Sequence, residues 1–133
     1  MPIELEMVLR LLLAAALGAI IGYQRERAGK PAGLRTHILI CEGSALFTVA
    51  SFYAFGAGAD PSRIAAGIVA GIGFLGAGAI IRREGELVGG LTTAATIWMI
   101  AAIGLAAGAG LYLVSAVATV VVLIALLLPH PIR

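Results

Sequence analysis

The stretch LTTAATIWMIAAIGLAAGAGLYLVSAVATVVVLIALLL, residues 91–128, decides the fold, because it carries no charged side chain and only glycines mark a turn in it. About 20 helical residues cross a hydrocarbon core of about 30 Å, so the stretch is long enough for two crossings divided at Gly108-Ala109-Gly110. Working outward, charged or Gly/Pro punctuation sets off three more apolar segments, at 3–23, 36–58 and 64–81, beside 91–107 and 111–128. All five are continuously apolar and lack the period-2 alternation of a barrel strand, so helices are expected. The expectation is an all-α integral membrane domain over residues 1–133, a bundle of about five transmembrane helices.

Composition agrees. Of 133 residues 61% are apolar, 12% are charged and 18 are glycine, with a mean hydropathy of +1.07. A soluble domain carries about a quarter charged residues. One core of this size cannot bury so much apolar surface, which leaves the lipid bilayer to cover the remainder. Nine Lys+Arg against seven Asp+Glu give a net charge of +2, too little for a nucleic-acid partner. Cys41 is the only cysteine, so no intrachain disulfide is expected, and inside an apolar run it is read as a small buried hydrophobe. Glu4 and Glu6 precede the first apolar segment, so no cleaved leader is expected.

The short connections make successive helices antiparallel neighbours. One side then collects Arg25, Arg27, Lys30, Arg35, Arg82 and Arg83, with Arg133 in the tail, while Arg63 stands on the other. By the positive-inside rule the N-terminus is expected outside and the C-terminus in the cytoplasm.

Glycines mark expected helix contacts: Gly18 and Gly22, Gly67 and Gly71, and Gly104 and Gly108 each form GxxxG. Gly71-Ile-Gly-Phe-Leu-Gly-Ala-Gly78 is denser, adding Gly73, Gly76 and Gly78. Each glycine costs roughly 1 kcal/mol against alanine in a water-exposed helix, so either a neighbour presses on this run or the helix is interrupted.

Several polar groups need partners. Arg10, a third of the way into the first segment, is expected to snorkel to the interface. Glu42 lies about two turns into the second segment, where a bare carboxylate is costly; hydroxyls of Thr92, Thr93 and Thr96 are candidate donors, and ion ligation or proton transfer a candidate role. The loop from Gln24 to His37 offers Arg25 and Arg35 for anionic headgroups, Thr36 as a helix cap, and His37 as a pH- or metal-sensitive group. Asp60 and Pro61 read as the N-cap and first turn of a helix, with Arg63 beside them. No nucleophile–base–acid set, phosphate-cradling loop or metal-spaced His/Cys cluster occurs, so no enzyme activity, cofactor or metal site is expected.

Five words then occur in series: Gly18 to Arg27, Ala32-Gly-Leu-Arg-Thr-His37, Asp60-Pro-Ser-Arg-Ile-Ala-Ala66, Gly71 to Gly78, and Gly90-Leu-Thr-Thr-Ala-Ala-Thr-Ile-Trp98. Together they resemble the transmembrane region of the MgtC/SapB family of bacterial inner (plasma) membrane proteins. The resemblance implies about five spans with an outside N-terminus. It also implies a role in adaptation to low magnesium and survival inside macrophages, exerted in the best-known case by restraining the F-type ATP synthase rather than by transport. Carried over by position, the loop acid of the virulence-linked branch falls on Glu84, whereas that branch's asparagine is Thr92 here. Gln24 stands where the family usually has Glu, Gly67 where it has Gln and Gly89 where it has Arg, and position 42 is normally uncharged. Many members continue into a soluble domain beyond the position of Arg133, and this chain is expected to be a short or trimmed form.

Three functions follow as expectations. The first is a non-enzymatic protein that affects magnesium homeostasis by contacting another membrane complex. The second is a cation or proton channel using Glu42, with Thr92 and Thr96 as further candidates, and the glycine-rich third helix. The third is a self-associating bundle, a homo-oligomer whose GxxxG faces meet across a dimer.

Overall fold

The computed structural model describes residues 2–81 and 90–129, which form five α-helices and, among the described residues, no strand. They are α1 (Ile3–Arg27), α2 (Leu34–Tyr53), α3 (Ser62–Ile81), α4 (Leu91–Gly108) and α5 (Tyr112–Leu127). Three of them, α1, α3 and α4, are long and apolar enough to cross a membrane, and α5 is a shorter apolar helix.

The segment boundaries move for local reasons. α1 runs four residues beyond Tyr23, with Glu4 and Glu6 in its first turn and Arg25 and Arg27 in its last, each sign placed where the helix dipole favours it. It ends in a Schellman motif: Gly29 at φ +75° donates to the Glu26 carbonyl and Lys30 to that of Arg25. α4 ends the same way, with Gly110 at φ +89° donating to Ala107 and Leu111 to Ala106, which makes the tight hairpin into α5. α2 spans 34–53 rather than 36–58, because the chain leaves the helix at Ala54 and Gly56 takes φ +85°. α3 is continuous from Ser62 to Ile81, so the interrupted-helix expectation for Gly71 to Gly78 is not met.

The centre is a three-helix contact of α1, α2 and α4, with α5 against α4 and α1, and α3 mainly against α4. Ala14, Leu17, Ile21, Cys41, Ala45, Ile100, Ile103 and Ala107 fill it, and a second cluster of Ala32, Ile72, Ile97 and Ala101 joins α3 to α4. Cys41 is fully buried, as a small hydrophobe. The outer surface inverts the pattern of a water-soluble domain. Phe74 is 81% exposed and Leu113 77%, while Arg10, Arg25, His37, Ser44, Thr48, Thr93 and Thr96 are buried. Apolar groups outside and polar groups within is the arrangement hydrocarbon solvent selects.

Candidate functional site

The end of α1, the start of α2 and the start of α4 meet at one end of the bundle, bringing three of the five sequence words together. Gly22 makes the meeting possible: a Cβ there would lie 2.9 Å from both the His37 Cβ and the Leu34 Cα. One turn earlier, a Cβ at Gly18 would stand 2.8 Å from the Cys41 Cβ. The helices approach at backbone distance, as small residues permit.

Arg25 is 3% exposed at this junction. Its Nη2 donates to the Thr93 Oγ1 at 3.3 Å, and its Nε has no partner. Fully buried His37 donates from Nδ1 to the Gly33 carbonyl at 2.9 Å, which leaves Nε2 as an acceptor without a donor. Buried polar atoms are normally satisfied, so two unmet groups at one helix junction mark a place with hydrogen-bonding capacity to spare. The Gln24 Oε1 is also unpaired, but Gln24 faces the groove between α1 and α5. Among the described residues no three His, Cys, Asp or Glu side chains are grouped to hold a metal.

These positions correct several expectations. Arg25 is not a headgroup anchor but a buried group; Arg27, Lys30 and Arg35 remain exposed. His37 is packed between helices rather than displayed at the interface. Thr36 is exposed in the first turn and does not cap α2. That role falls to Glu26, whose Oε1 accepts from the Leu34 amide at 3.0 Å across the Gly33 backbone.

Glu42 is half-buried on α2, and its Oε1 is a buried atom without a partner. The threonines of α4 do not serve it: Thr93 accepts from Arg25, and the Thr96 hydroxyl donates to the Thr92 carbonyl within the helix. Thr92 itself is exposed.

At the opposite end Arg10 is 7% exposed rather than snorkelling. Its Nη1 donates to the Gly108 carbonyl at 3.1 Å, its Nη2 pairs with the Glu6 Oε2 at 2.6 Å, and its guanidinium lies 5.4 Å from the centre of the Tyr53 ring. The sequence carried a readable signal for both buried arginines. Arg10, Ala14, Gly18, Gly22 and Arg25 share one α1 stripe, so the arginines lie on the packing face of the small residues.

Asp60 precedes α3, and its Oδ1 accepts from the Ser62 amide at 3.0 Å and the Ser62 hydroxyl at 2.8 Å. Those two hydrogen bonds hold its carboxyl below the ordinary carboxylate range. Arg63 follows, exposed.

The glycines divide by helix. A Cβ at Gly104 would collide with the Cys41 carbonyl, and one at Gly108 would lie 2.6 Å from the Ala45 carbonyl, so α4 and α2 touch there through their backbones. On α3, Gly76 faces Ala94, whereas a Cβ at Gly67, Gly71, Gly73 or Gly78 would meet nothing within 4 Å among the described residues. Arg82, Arg83, Glu84, Gly89 and Arg133 lie outside the described residues.

With this geometry in place, comparison with known proteins is informative. A family model described as the MgtC family matches residues 11–133. The chain is 48% identical over 132 residues to "Putative magnesium transporter YhiD" of Escherichia coli K12, covering 94% of this chain and 61% of that protein. It is 51% identical over 110 residues to "Protein MgtC" of Brucella abortus, covering 83% of this chain and 45% of that one. It is 41% identical over 117 residues to "Protein SapB" of Bacillus subtilis, covering 83% and 50%. The chain thus spans about half to six-tenths of the length of these relatives. No solved structure matches it.

Proposed function

Because the chain belongs to the MgtC family, we propose that it is a non-enzymatic protein of the bacterial inner membrane that influences magnesium homeostasis by contacting another membrane complex, rather than by passing the ion. The observation that carries this reading is the pair of buried arginines on one face of α1. Arg10 at one end and Arg25 at the other bracket a centre filled by Ile21, Cys41, Ile100 and Ile103 and drawn tight at Gly18, Gly22, Gly104 and Gly108. A divalent cation following that axis would lose its water among aliphatic groups and, at one end, meet the positive charge of Arg25, which donates only to a threonine hydroxyl. The name of one relative, "Putative magnesium transporter YhiD", supports the link to magnesium; the F-type ATP synthase is one complex the resemblance offers as a partner. In this reading five helices cross the bilayer, with the N-terminus outside and the C-terminus in the cytoplasm.

The test is a flux assay on purified protein in liposomes together with crosslinking in native membranes. The reading expects no magnesium, potassium or proton movement, and crosslinks to a foreign membrane protein. Robust flux would overturn it.

A second reading, a cation or proton carrier, is favoured by one observation, the unpartnered Glu42 Oε1. It expects flux that Glu42→Gln abolishes.

A further inference from the structure

We propose that the groove between α2 and α3 is a binding site for one anionic phospholipid, its phosphate on Arg63 and an acyl chain along the helices. Beyond the function proposed above, it requires only that these helices lie in a bilayer.

The groove exists because α3 leans on α4 and stands off from α2. The two helices are tied at one end, where the Ser51 hydroxyl donates to the Pro61 carbonyl at 2.9 Å. From there the space opens to about 680 Å³. Gly43 on one wall and Gly67 and Gly71 on the other shape it, and a Cβ built at any of the three meets nothing within 4 Å among the described residues. Phe47 and Leu75, 59% and 51% exposed, complete an apolar lining.

Three features select the occupant. The first is charge. Arg63 lines the groove at the tied end, is exposed, and forms no ion pair among the described residues. Neighbouring Asp60 accepts from Ser62 and attracts Arg63 through its charge, while the Arg63 side chain stays exposed. A cation at the mouth of an apolar slot suits a ligand with an anionic head and a hydrocarbon tail.

The second is length. From Arg63 to Leu75 the groove follows 12 residues of α3, roughly 18 Å at 1.5 Å per residue. That is close to one leaflet, about 15 Å of hydrocarbon. An arginine at headgroup level and a slot of leaflet depth are what a phospholipid spans.

The third is shape. Gly43, Gly67 and Gly71 leave an apolar recess of about 680 Å³ along the helices, which a flexible acyl chain can follow.

The test places a reporter in the groove, Phe47→Trp in a Trp98→Phe background, and reconstitutes the protein in phosphatidylcholine vesicles. Increasing fractions of phosphatidylglycerol or phosphatidylcholine with brominated acyl chains are then added. Bromines quench a tryptophan they touch. We expect brominated phosphatidylglycerol to quench about fivefold more effectively per mole fraction, the preference that one arginine at a headgroup confers. Arg63→Gln should remove the preference and leave the helical circular dichroism unchanged, while Arg63→Lys should keep it. Gly67→Leu with Gly71→Leu should shield the reporter from both lipids. Equal quenching by the two lipids with Arg63 intact would overturn the proposal. So would a reporter shielded from both lipids with the glycines intact, which would mean that protein fills the groove. Flux and crosslinking do not enter this readout, so its failure leaves the proposed function standing and the reverse is also true.

Discussion

Arg10 contributes to three contacts on three parts of the chain: the Glu6 carboxylate, the Gly108 carbonyl and the face of Tyr53. A lysine reaches as far but has no fork to serve a carboxylate and a carbonyl together. Arg10→Ala should therefore lower stability in detergent by about 1.5–3 kcal/mol, the range for hydrogen bonds made by a charged group, and Arg10→Lys by less. Thermal unfolding followed by circular dichroism measures both. The glycines give a second contrast. Gly104→Ala drives a methyl group into the Cys41 backbone, which cannot rotate away, and should cost about 1–3 kcal/mol. Among the described residues Gly73→Ala and Gly78→Ala meet nothing, and they should be neutral or slightly stabilising, since alanine is the better helix former. Sequence alone did not separate these glycines. GxxxG states that a close approach is allowed, and the partner's backbone decides whether it is made.

The existence of the five helices was legible because apolar length is a strong signal; their ends were less so. The second segment reads as apolar to Gly58, but φ +85° at Gly56 belongs to a chain that has already left the helix at Tyr53. Thr36 has the chemistry of a cap, yet the loop turns at Gly33, so the cap comes from Glu26 on the preceding helix, a contact local spacing cannot reveal. Where the cap is adjacent in sequence, as at Asp60, it was readable. That cap should depend on pH. Its carboxyl titrates below the ordinary range when folded, so the contribution is complete above that range and is lost as pH falls through the lowered value. The protection of the Ser62 and Arg63 amides, the slowing of their exchange relative to an unstructured peptide at the same pH, should fall on acidification below the ordinary carboxylate range, and Asp60→Ala should show the low protection already at neutral pH. A loss of protection equal in the variant and the parent protein would remove Asp60 as the cause.

At the scale of the molecule, the orientation of the bundle rests on where lysine and arginine fall. Arg27 at the end of α1, Lys30 in the connection and Arg35 at the start of α2 stand exposed, so burial of Arg25 leaves the asymmetry in place. Tags at the two ends should be reached from opposite compartments by a membrane-impermeant reagent; labelling from one side only would remove the five-crossing arrangement. The candidate site was legible in its words and illegible in its assembly. Arg25, His37 and Thr93 lie far apart in the sequence, and only the close passage of α1 and α2 at Gly22 explains why they meet.

The contact between Arg10 and the Gly108 carbonyl joins positions 98 residues apart. A ribosome adding about 5–20 residues per second needs roughly 5–20 s to synthesise the intervening chain. Throughout that interval α1 presents a guanidinium whose long-range acceptor does not yet exist, and Glu6, one helical turn away, is the partner already made. α1 can pack on α2 through Gly18 and Gly22 as soon as α2 is made, while Arg10 keeps a provisional local pairing with Glu6 until the end of α4 emerges.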